Sequence, residues 1–545
     1  MSAARSTRRR GATPVTIDEL NIAMLVGAGV LIVAVLAVRL SSRAGLPSLL
    51  LYLGIGAALS ASGLITFNDL EFAQSVGIAA LVIILAEGGI TTRWATIRPQ
   101  LPVAVSLSIV GVGVSVAIVA LVAHYVLDLQ WQLAVLCGAI LSSTDAAAIF
   151  STLRRVPLKS RVAGTLEAES GINDAPVIIL VLLVSEPGGG TSFLGGLGLL
   201  LFELIVGAAV GVIVGWGGAA VLRRAALPAS GLYPIAVTTC TVLAYAAAAS
   251  VHASGFLAVY LAALVLGNSA LPHRAVTRGF VEALAWVAQI GLFVVLGLLV
   301  VPIARFTSSE LFVPALVIGL VLTFVARPLS VLVATSAFRV PWREQAFLSW
   351  AGLRGAVPIV IAILPAVADV EGSRRLLDIV FVLVVVFTIV QSPTLPWVAR
   401  RLGVAETTET RDLTVEAAPL DRVGAELLQV RIPVGSRLHG VEVAELRLPP
   451  GALVALVVRD DESIVPSPTT GLRVGDEVLV VVPSHSRAEV ERRLAAVSEH
   501  GRLAGWLGRR RPGPGHPAGQ VSSAAWRAAL VSRWPGRRAR RTSPR

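Results

Sequence analysis

Apolar runs of close to twenty residues recur along this chain from about Asn21 to Ala399, separated by short polar connections. A run of that length, wound as a helix rising 1.5 Å per residue, crosses the hydrocarbon core of a bilayer. The pattern predicts a polytopic α-helical membrane protein. Thirteen spans are read, approximately 20–40, 46–64, 73–91, 101–126, 131–152, 162–184, 193–222, 231–250, 253–270, 280–304, 310–336, 345–367 and 375–399.

The loops test that count through the positive-inside rule. Odd-numbered spans are followed by Arg39 and Arg43, Arg93 and Arg98, 154-RRVPLKSR-161, Arg223 and Arg224, Arg274 and Arg278, and 339-RVPWRE-344. Even-numbered spans are followed by acidic or near-neutral loops such as 66-TFNDLE-71, 185-SEPGGG-190 and 369-DVEG-372. The alternation predicts a multi-pass plasma-membrane protein with its C-terminus in the cytoplasm and its N-terminus outside. The basic 5-RSTRRR-10 runs against that N-terminal placement.

From about Thr414 the period changes. Short β-branched runs, 427-LLQVRIP-433, 452-ALVALVVR-459 and 477-EVLVVVP-483, alternate with Gly, Asp and Pro turns, and the polar helix 486-SRAEVERRLAAV-497 follows. This predicts a small cytoplasmic α+β domain. The expected organisation is an N-terminal segment (1–19), a transmembrane domain (20–402), a linker (403–413), the α+β domain (414–499) and a disordered Arg-rich tail (500–545).

Composition agrees with this division. The chain is 55% hydrophobic and only 15% charged, against about 25% in soluble domains. Of the net charge of +12, eleven units come from the arginines after residue 500, so the rest of the chain is nearly neutral. The tail cannot bury a core; it reads either as a solvated tail without a dedicated role or as a cluster that rests on anionic lipid head groups. Membrane lipid is thus an expected partner, and no nucleic-acid partner is expected. Cys137 and Cys240 both sit in apolar spans, which excludes a disulfide framework, and no cofactor is expected.

Ionisable residues inside spans carry the functional signal, because each costs roughly 2.5–3.5 kcal/mol at a helix centre unless it faces protein or water. The mid-span set is Glu87, Asp145, Glu169, Asp174, Glu203, Arg327 and Arg354. Glu282, Glu310 and Asp378 lie near span ends, where snorkelling accounts for them. In 164-GTLEAESGINDAPVIIL-180, Glu167 and Asp174 are seven apart and share a helix face, as do Glu169 and Asn173, four apart. Glu169 and Asp174 are about 140° apart around the helix and are expected to do different jobs. Asp174 reads as a mid-membrane site and Glu167 as a cytoplasmic vestibule group. Arg354 needs an acidic partner, and Glu169 is the expected one. Asp174, without a cationic partner, is free to trade a proton for a cation.

Two spans carry helix-breaking signals: 142-SSTDAAAIFS-151, where hydroxyls flank Asp145, and 351-AGLRGAVP-358, where Gly352, Gly355 and Pro358 surround Arg354. Non-helical backbone at that depth is tolerated where it lines a cavity, and broken helices at the midplane build ion sites.

The pieces 86-AEGGI-90, 143-STDAA-147, 169-ESGIND-174, Arg327–Pro328 and 352-GLRGAVP-358 occur in the order seen in bacterial cation:proton antiporters of the CPA1 family. Over roughly residues 20–400 the chain resembles their NhaP-type potassium/proton branch, and residues 414–499 resemble the RCK C-terminal (TrkA-C) regulatory domain. The resemblance implies two inverted six-helix repeats joined by the seventh span, with spans 5 and 12 as broken crossing helices. It implies a homodimer working by alternating access. Asp174 would bind cation and proton in turn, with Asp145 and Thr144 completing an alkali-cation site. Asn173, where electrogenic relatives carry a second Asp, implies electroneutral exchange. Glu169 and Arg354 would form a structural ion pair, with Glu87, Glu167 and Ser170 along the pathway. Many relatives have Pro directly after Asn-Asp, whereas here Ala175 precedes Pro176.

The transported ions would be K⁺, or Na⁺ on the same fold, and H⁺, and the α+β domain would take a small-molecule regulator of unidentified class. A ligand-gated cation channel is the competing class, but no TVGYG-like filter is present. An enzyme is not expected: the seven His lack metal-ligand spacing, and no Gly-x-Ser-x-Gly motif occurs.

Overall fold

The computed structural model describes residues 17–501 apart from 45–47, 64–66, 68, 146–148, 150–152, 154–155, 157, 187–192, 226, 300–307, 406–413, 421–424, 434, 461 and 484–485. The expectations for residues 1–16, for most of the linker and for the tail from 502 onward lie outside the described residues. The chain divides into two compact units, Met1–Thr407 and Thr408–Arg545.

The first unit is helical. Its elements are α1 (Ile17–Ala44), α2 (Ser48–Ala61), α3 (Leu70–Thr91), α4 (Trp94–Tyr125), α5 (Trp131–Ser142), α6 (Ser160–Ser185) and α7 (Phe193–Arg224). There follow α8 (Leu232–Ser250), α9 (Gly255–Asn268), α10 (Arg274–Leu298), α11 (Ser309–Phe338), α12 (Trp342–Trp350), α13 (Ala356–Val367) and α14 (Ser373–Arg401). Among the described residues nine helices are long and apolar enough to cross a membrane; α2, α5, α9 and the apolar part of α13 are shorter. Several helices overrun the apolar runs, as where α10 starts at Arg274, because helical hydrogen bonding continues past the last lipid-facing residue.

Small residues set the closest packing. Gly207, Gly211 and Gly215 recur every fourth residue of α7 and lie against Ser254, which caps α9, and Ala258 and Ala262 within it; a Cβ at Gly211 would come within 2.5 Å of the Ala258 carbonyl oxygen. Such contacts hold helices together where lipid competes equally for apolar side chains.

Two helices break where the sequence carries Ser-Thr-Asp and Gly-Leu-Arg-Gly. α5 stops at Ser142 and Ser143 turns extended (ψ 140°). Between α12 and α13 residues 352–355 are non-helical. The two breaks bond to each other. The Asp145 amide donates to the Leu353 carbonyl at 3.1 Å. Arg354 Nε donates to the Leu141 carbonyl at 2.6 Å, its Nη1 to the Gly352 carbonyl at 2.8 Å, and Thr388 Oγ1 donates to the Arg354 carbonyl at 3.1 Å. Backbone groups released by unwinding thus find partners inside the protein, as membrane burial requires.

The second unit is an antiparallel sheet of β1 (Thr414–Leu420), β2 (Ala425–Arg431), β3 (Leu453–Arg459), β4 (Glu462–Ile464) and β5 (Glu477–Pro483), in the order β1-β2-β5-β3-β4. In β5 the period of two puts Val478, Val480 and Val482 into the core with Leu428 and Val430 of β2. Helix α15 (Arg487–His500) adds Val490, Leu494 and Val497 to that core.

Candidate functional site

Helix α6 carries the site. It stays continuous through Pro176, which removes the helical donor to the Ile172 carbonyl and weakens the turn that bears Asn173 and Asp174. Glu169, Asn173 and Asp174 are all buried, at 2%, 1% and 4% exposure, so each needs a partner.

The ion pair expected between Glu169 and Arg354 is not the one formed. Glu169 pairs with Arg327 of α11, Oε1 to Nη1 at 2.6 Å and Oε2 accepting from Nη2 at 3.0 Å, a two-pronged contact. Arg354 spends its donors on the carbonyls of the crossing instead, holding the end of α5 against its own loop. The physical reason is that unwound backbone on both sides offers Arg354 carbonyls that a regular helix would have kept.

Asp174 has no such cation. Its Oδ1 accepts from Ser143 Oγ at 2.6 Å. Asn173 Nδ2 donates to Thr144 Oγ1, also at 2.6 Å, while its Oδ1 is buried without a partner. Two consecutive hydroxyls just past α5 therefore hold two consecutive α6 side chains. Asp145 sits over Gly355, where an added Cβ would run into its carboxylate.

A cavity of about 450 Å³ opens beside this crossing, between α3, α6, α9 and α10. Its lining includes Glu87, Asp145, Glu167, Asp174 and Glu282, five carboxyl groups, with no Lys, Arg or His among the described residues. Ser170 also lines it, whereas Thr144 and Asn173 stand behind the wall and bond to each other. Glu169 faces away from the cavity, toward Arg327.

Sequence reasoning missed three members. Glu282 reads in sequence as a snorkelling residue, yet with Ala285, Trp286 and Gln289 it forms one stripe of α10 facing the cavity. That i, i+3, i+4, i+7 spacing was the available signal. Tyr260 of α9 lines the cavity with a buried hydroxyl, its ring lying over Gly171. Ser143 lies in the helix-breaking motif, and only the tertiary crossing shows which carboxyl it serves.

Residues 30–401 match the family described as Sodium/hydrogen exchanger, transmembrane. The chain belongs to the sodium/hydrogen exchanger family. Residues 427–495 of this exchanger match the TrkA-C domain, within the segment expected to carry it. The exchanger is 36% identical over 479 residues to the K(+)/H(+) antiporter NhaP of Alkalimonas amylolytica, covering 85% of this chain and 82% of that one. It is 34% identical over 478 residues to the K(+)/H(+) antiporter NhaP2 of Shewanella sp. (strain MR-4), with the same coverage. The Na(+)/H(+) antiporter ApNhaP of Aphanothece halophytica is 27% identical over 365 residues, 63% of this chain and 68% of that one. The sodium proton antiporter MjNhaP1 from Methanocaldococcus jannaschii superposes with a TM-score of 0.61 at 21% identity, over 70% of this chain and 99% of that one; this likeness is one of fold.

Proposed function

We propose that this exchanger moves K⁺ against H⁺ by alternating access, one for one, with Asp174 as the carboxyl for which cation and proton compete. The observation that carries this reading is the placement of Asp174. It is buried on the wall of an acidic cavity and held by a hydroxyl, while the nearby Arg327 is occupied by Glu169. A carboxyl so placed binds a proton or a monovalent cation, and binding one removes the charge that holds the other.

Asp174, Asp145 and Ser170 supply oxygens for the cation. Asn173 and Thr144 hold the crossing in register behind it, and Asn173 brings no second titrating charge. The Glu169–Arg327 pair fastens α6 to α11, so the site moves as one body with its helices. Spans 5 and 12 break at equivalent places, seven spans apart, which supports two inverted six-helix repeats. The K⁺ choice rests on the K(+)/H(+) antiporters at 34–36% identity over 85% of the chain; the Na(+)/H(+) antiporter matched is more distant. By the loop charges, the cavity opens to the cytoplasm and the TrkA-C domain lies there as a regulatory module. A homodimer in the cell membrane is the working form. The protein is a transporter and carries out no covalent chemistry.

The test is cation-driven proton movement in proteoliposomes holding a pH dye. K⁺, Na⁺ or Li⁺ is added with the voltage clamped or free, for the wild type and Asp174→Asn. Dye recovery with K⁺ that survives the clamp and disappears in Asp174→Asn is expected. Recovery with Na⁺ alone would overturn the ion choice, and cation flux without proton movement would overturn exchange.

A further inference from the structure

The chain makes one more pairing after its last membrane helix than that helix requires. α14 ends at Arg401, and Gly403, at φ +68°, turns the backbone so that the Val404 amide donates to the Ala399 carbonyl at 3.0 Å. That turn already serves carbonyls at the helix end. Yet Ala405 goes on to form an antiparallel bridge with Leu158, and the Lys159 amide donates to the Val404 carbonyl at 3.0 Å. Leu158 and Val404 are both buried in the core of the membrane unit.

The partners of this exit segment lead to the exchange site. Lys159 is the N-cap of α6, and Asp174 lies on the same helix, about 22 Å further along a rigid axis at 1.5 Å per residue. Arg161, in the first turn of α6, pairs with Glu344 in the first turn of α12, Nε to Oε2 at 3.3 Å. α12 in turn runs into the non-helical residues that carry Arg354. Gly403 lies beside the same place: a Cβ there would meet Arg343 Nη1 at 3.8 Å. The exit segment is thus tied to the starts of α6 and α12, the two helices that bring Asp174 and Arg354 to the crossing. In the other direction only residues 406–413 separate it from β1 at Thr414. A single bridge is a weak pairing, so it opens at little cost to the helices on either side.

We propose that the Leu158–Ala405 bridge is the coupling point through which the TrkA-C domain controls exchange. While the bridge is formed, a displacement of the chain beyond Ala405 is carried into the first turns of α6 and α12. When it opens, the same displacement ends in α14 alone. The inference rests on the reading of the TrkA-C domain as a regulatory module and names the contact that this regulation uses. Lys159 and Gly403 are positioning residues in it, acting on Asp174 only through the backbone of α6.

The experiment is a double-mutant cycle in the full-length protein, read as the maximal rate of K⁺-driven proton movement in proteoliposomes. Asp476→Asn loosens the TrkA-C domain from within, at its buried bond to Arg459. Lys159→Pro removes the amide that bonds Val404, at a residue whose φ of −52° already suits proline. Asp476→Asn is expected to change the rate by more than about threefold in the wild-type background and by less than about 1.5-fold beside Lys159→Pro. Gly403→Ala strains the turn from the other side of the bridge and leaves α6 untouched. It should shrink the effect of Asp476→Asn in the same direction, and it decides the question where Lys159→Pro does not fold. An effect of Asp476→Asn that is equal in all three backgrounds would overturn the bridge as the coupling point and leave exchange intact. No effect in the wild-type background would overturn control by the TrkA-C domain, and the bridge with it, while exchange stands. A wild type that moves no protons in response to any alkali cation would overturn the exchange reading itself and everything built on it.

Discussion

Arg327 holds both oxygens of the Glu169 carboxylate, at 2.6 and 3.0 Å, with the two side chains 5% and 2% exposed. This contact ties α6 to α11 five residues from Asp174. Burial makes it sensitive: removing one partner of such a pair leaves an uncompensated charge and costs about 3–5 kcal/mol.

A double-mutant cycle in detergent therefore separates the two arginines. Glu169→Gln and Arg327→Leu should each lower thermal stability strongly, and the double variant should recover part of the loss, with a coupling of about 2–3 kcal/mol. The same cycle on Glu169 and Arg354 should give a smaller coupling, since Arg354 bonds to the carbonyls of Leu141 and Gly352. Equal couplings would contradict the pairing described.

Gly355 tests the crossing. Alanine there places a methyl group against the Asp145 carboxylate. Gly355→Ala is expected to fold, to keep its melting temperature within a few degrees, and to lose more than about tenfold in exchange rate, because a misplacement near 1 Å has effects of that order. Wild-type exchange in this variant would show that Asp145 does not take part.

In the TrkA-C domain, Asp476 is buried and accepts from Arg459 Nε (2.8 Å), Arg459 Nη2 (2.7 Å) and the Arg473 amide (2.7 Å). Burial pushes its carboxyl up, but the Arg459 bonds and the Arg473 amide outweigh it and hold the group below the usual carboxylate range. A carboxyl depressed on folding contributes stability that is complete above its unfolded value, about 3.9, and is lost as pH falls through the folded value. Asp476→Asn should thus weaken protection of the β5 amides from hydrogen exchange at pH 7 by about 2–3 kcal/mol. The two proteins should converge in strong acid. A difference that persists there would contradict the role given to Arg459.

Much of the helix layout was legible because lipid imposes a length on each crossing and the loops carry alternating charge. The breaks at 142–145 and 351–355 were legible because Ser, Thr and Gly offer ways to satisfy or bend backbone. The seven-residue spacing of Glu167 and Asp174 put them on one face of α6, and one cavity takes both. Partner choice was not legible. Helix geometry orients Glu169 relative to its neighbours on α6, but Arg327 and Arg354 lie about 160 and 185 residues away in sequence, and periodicity carries no information about which one faces it. The role of Glu282 is hidden for a related reason: depth along a helix argues for snorkelling only when the side chain faces lipid, and here it faces a cavity.

Competition at Asp174 is the central claim, and the most direct measurement is the half-saturating K⁺ concentration for exchange as a function of pH on the cavity side. If one carboxyl takes either ion, half-saturation should rise about tenfold for each unit of acidification once protons dominate, with the maximal rate recovered at high K⁺. A half-saturating concentration that stays constant across that range would mean that cation and proton bind at separate places, and would contradict the account.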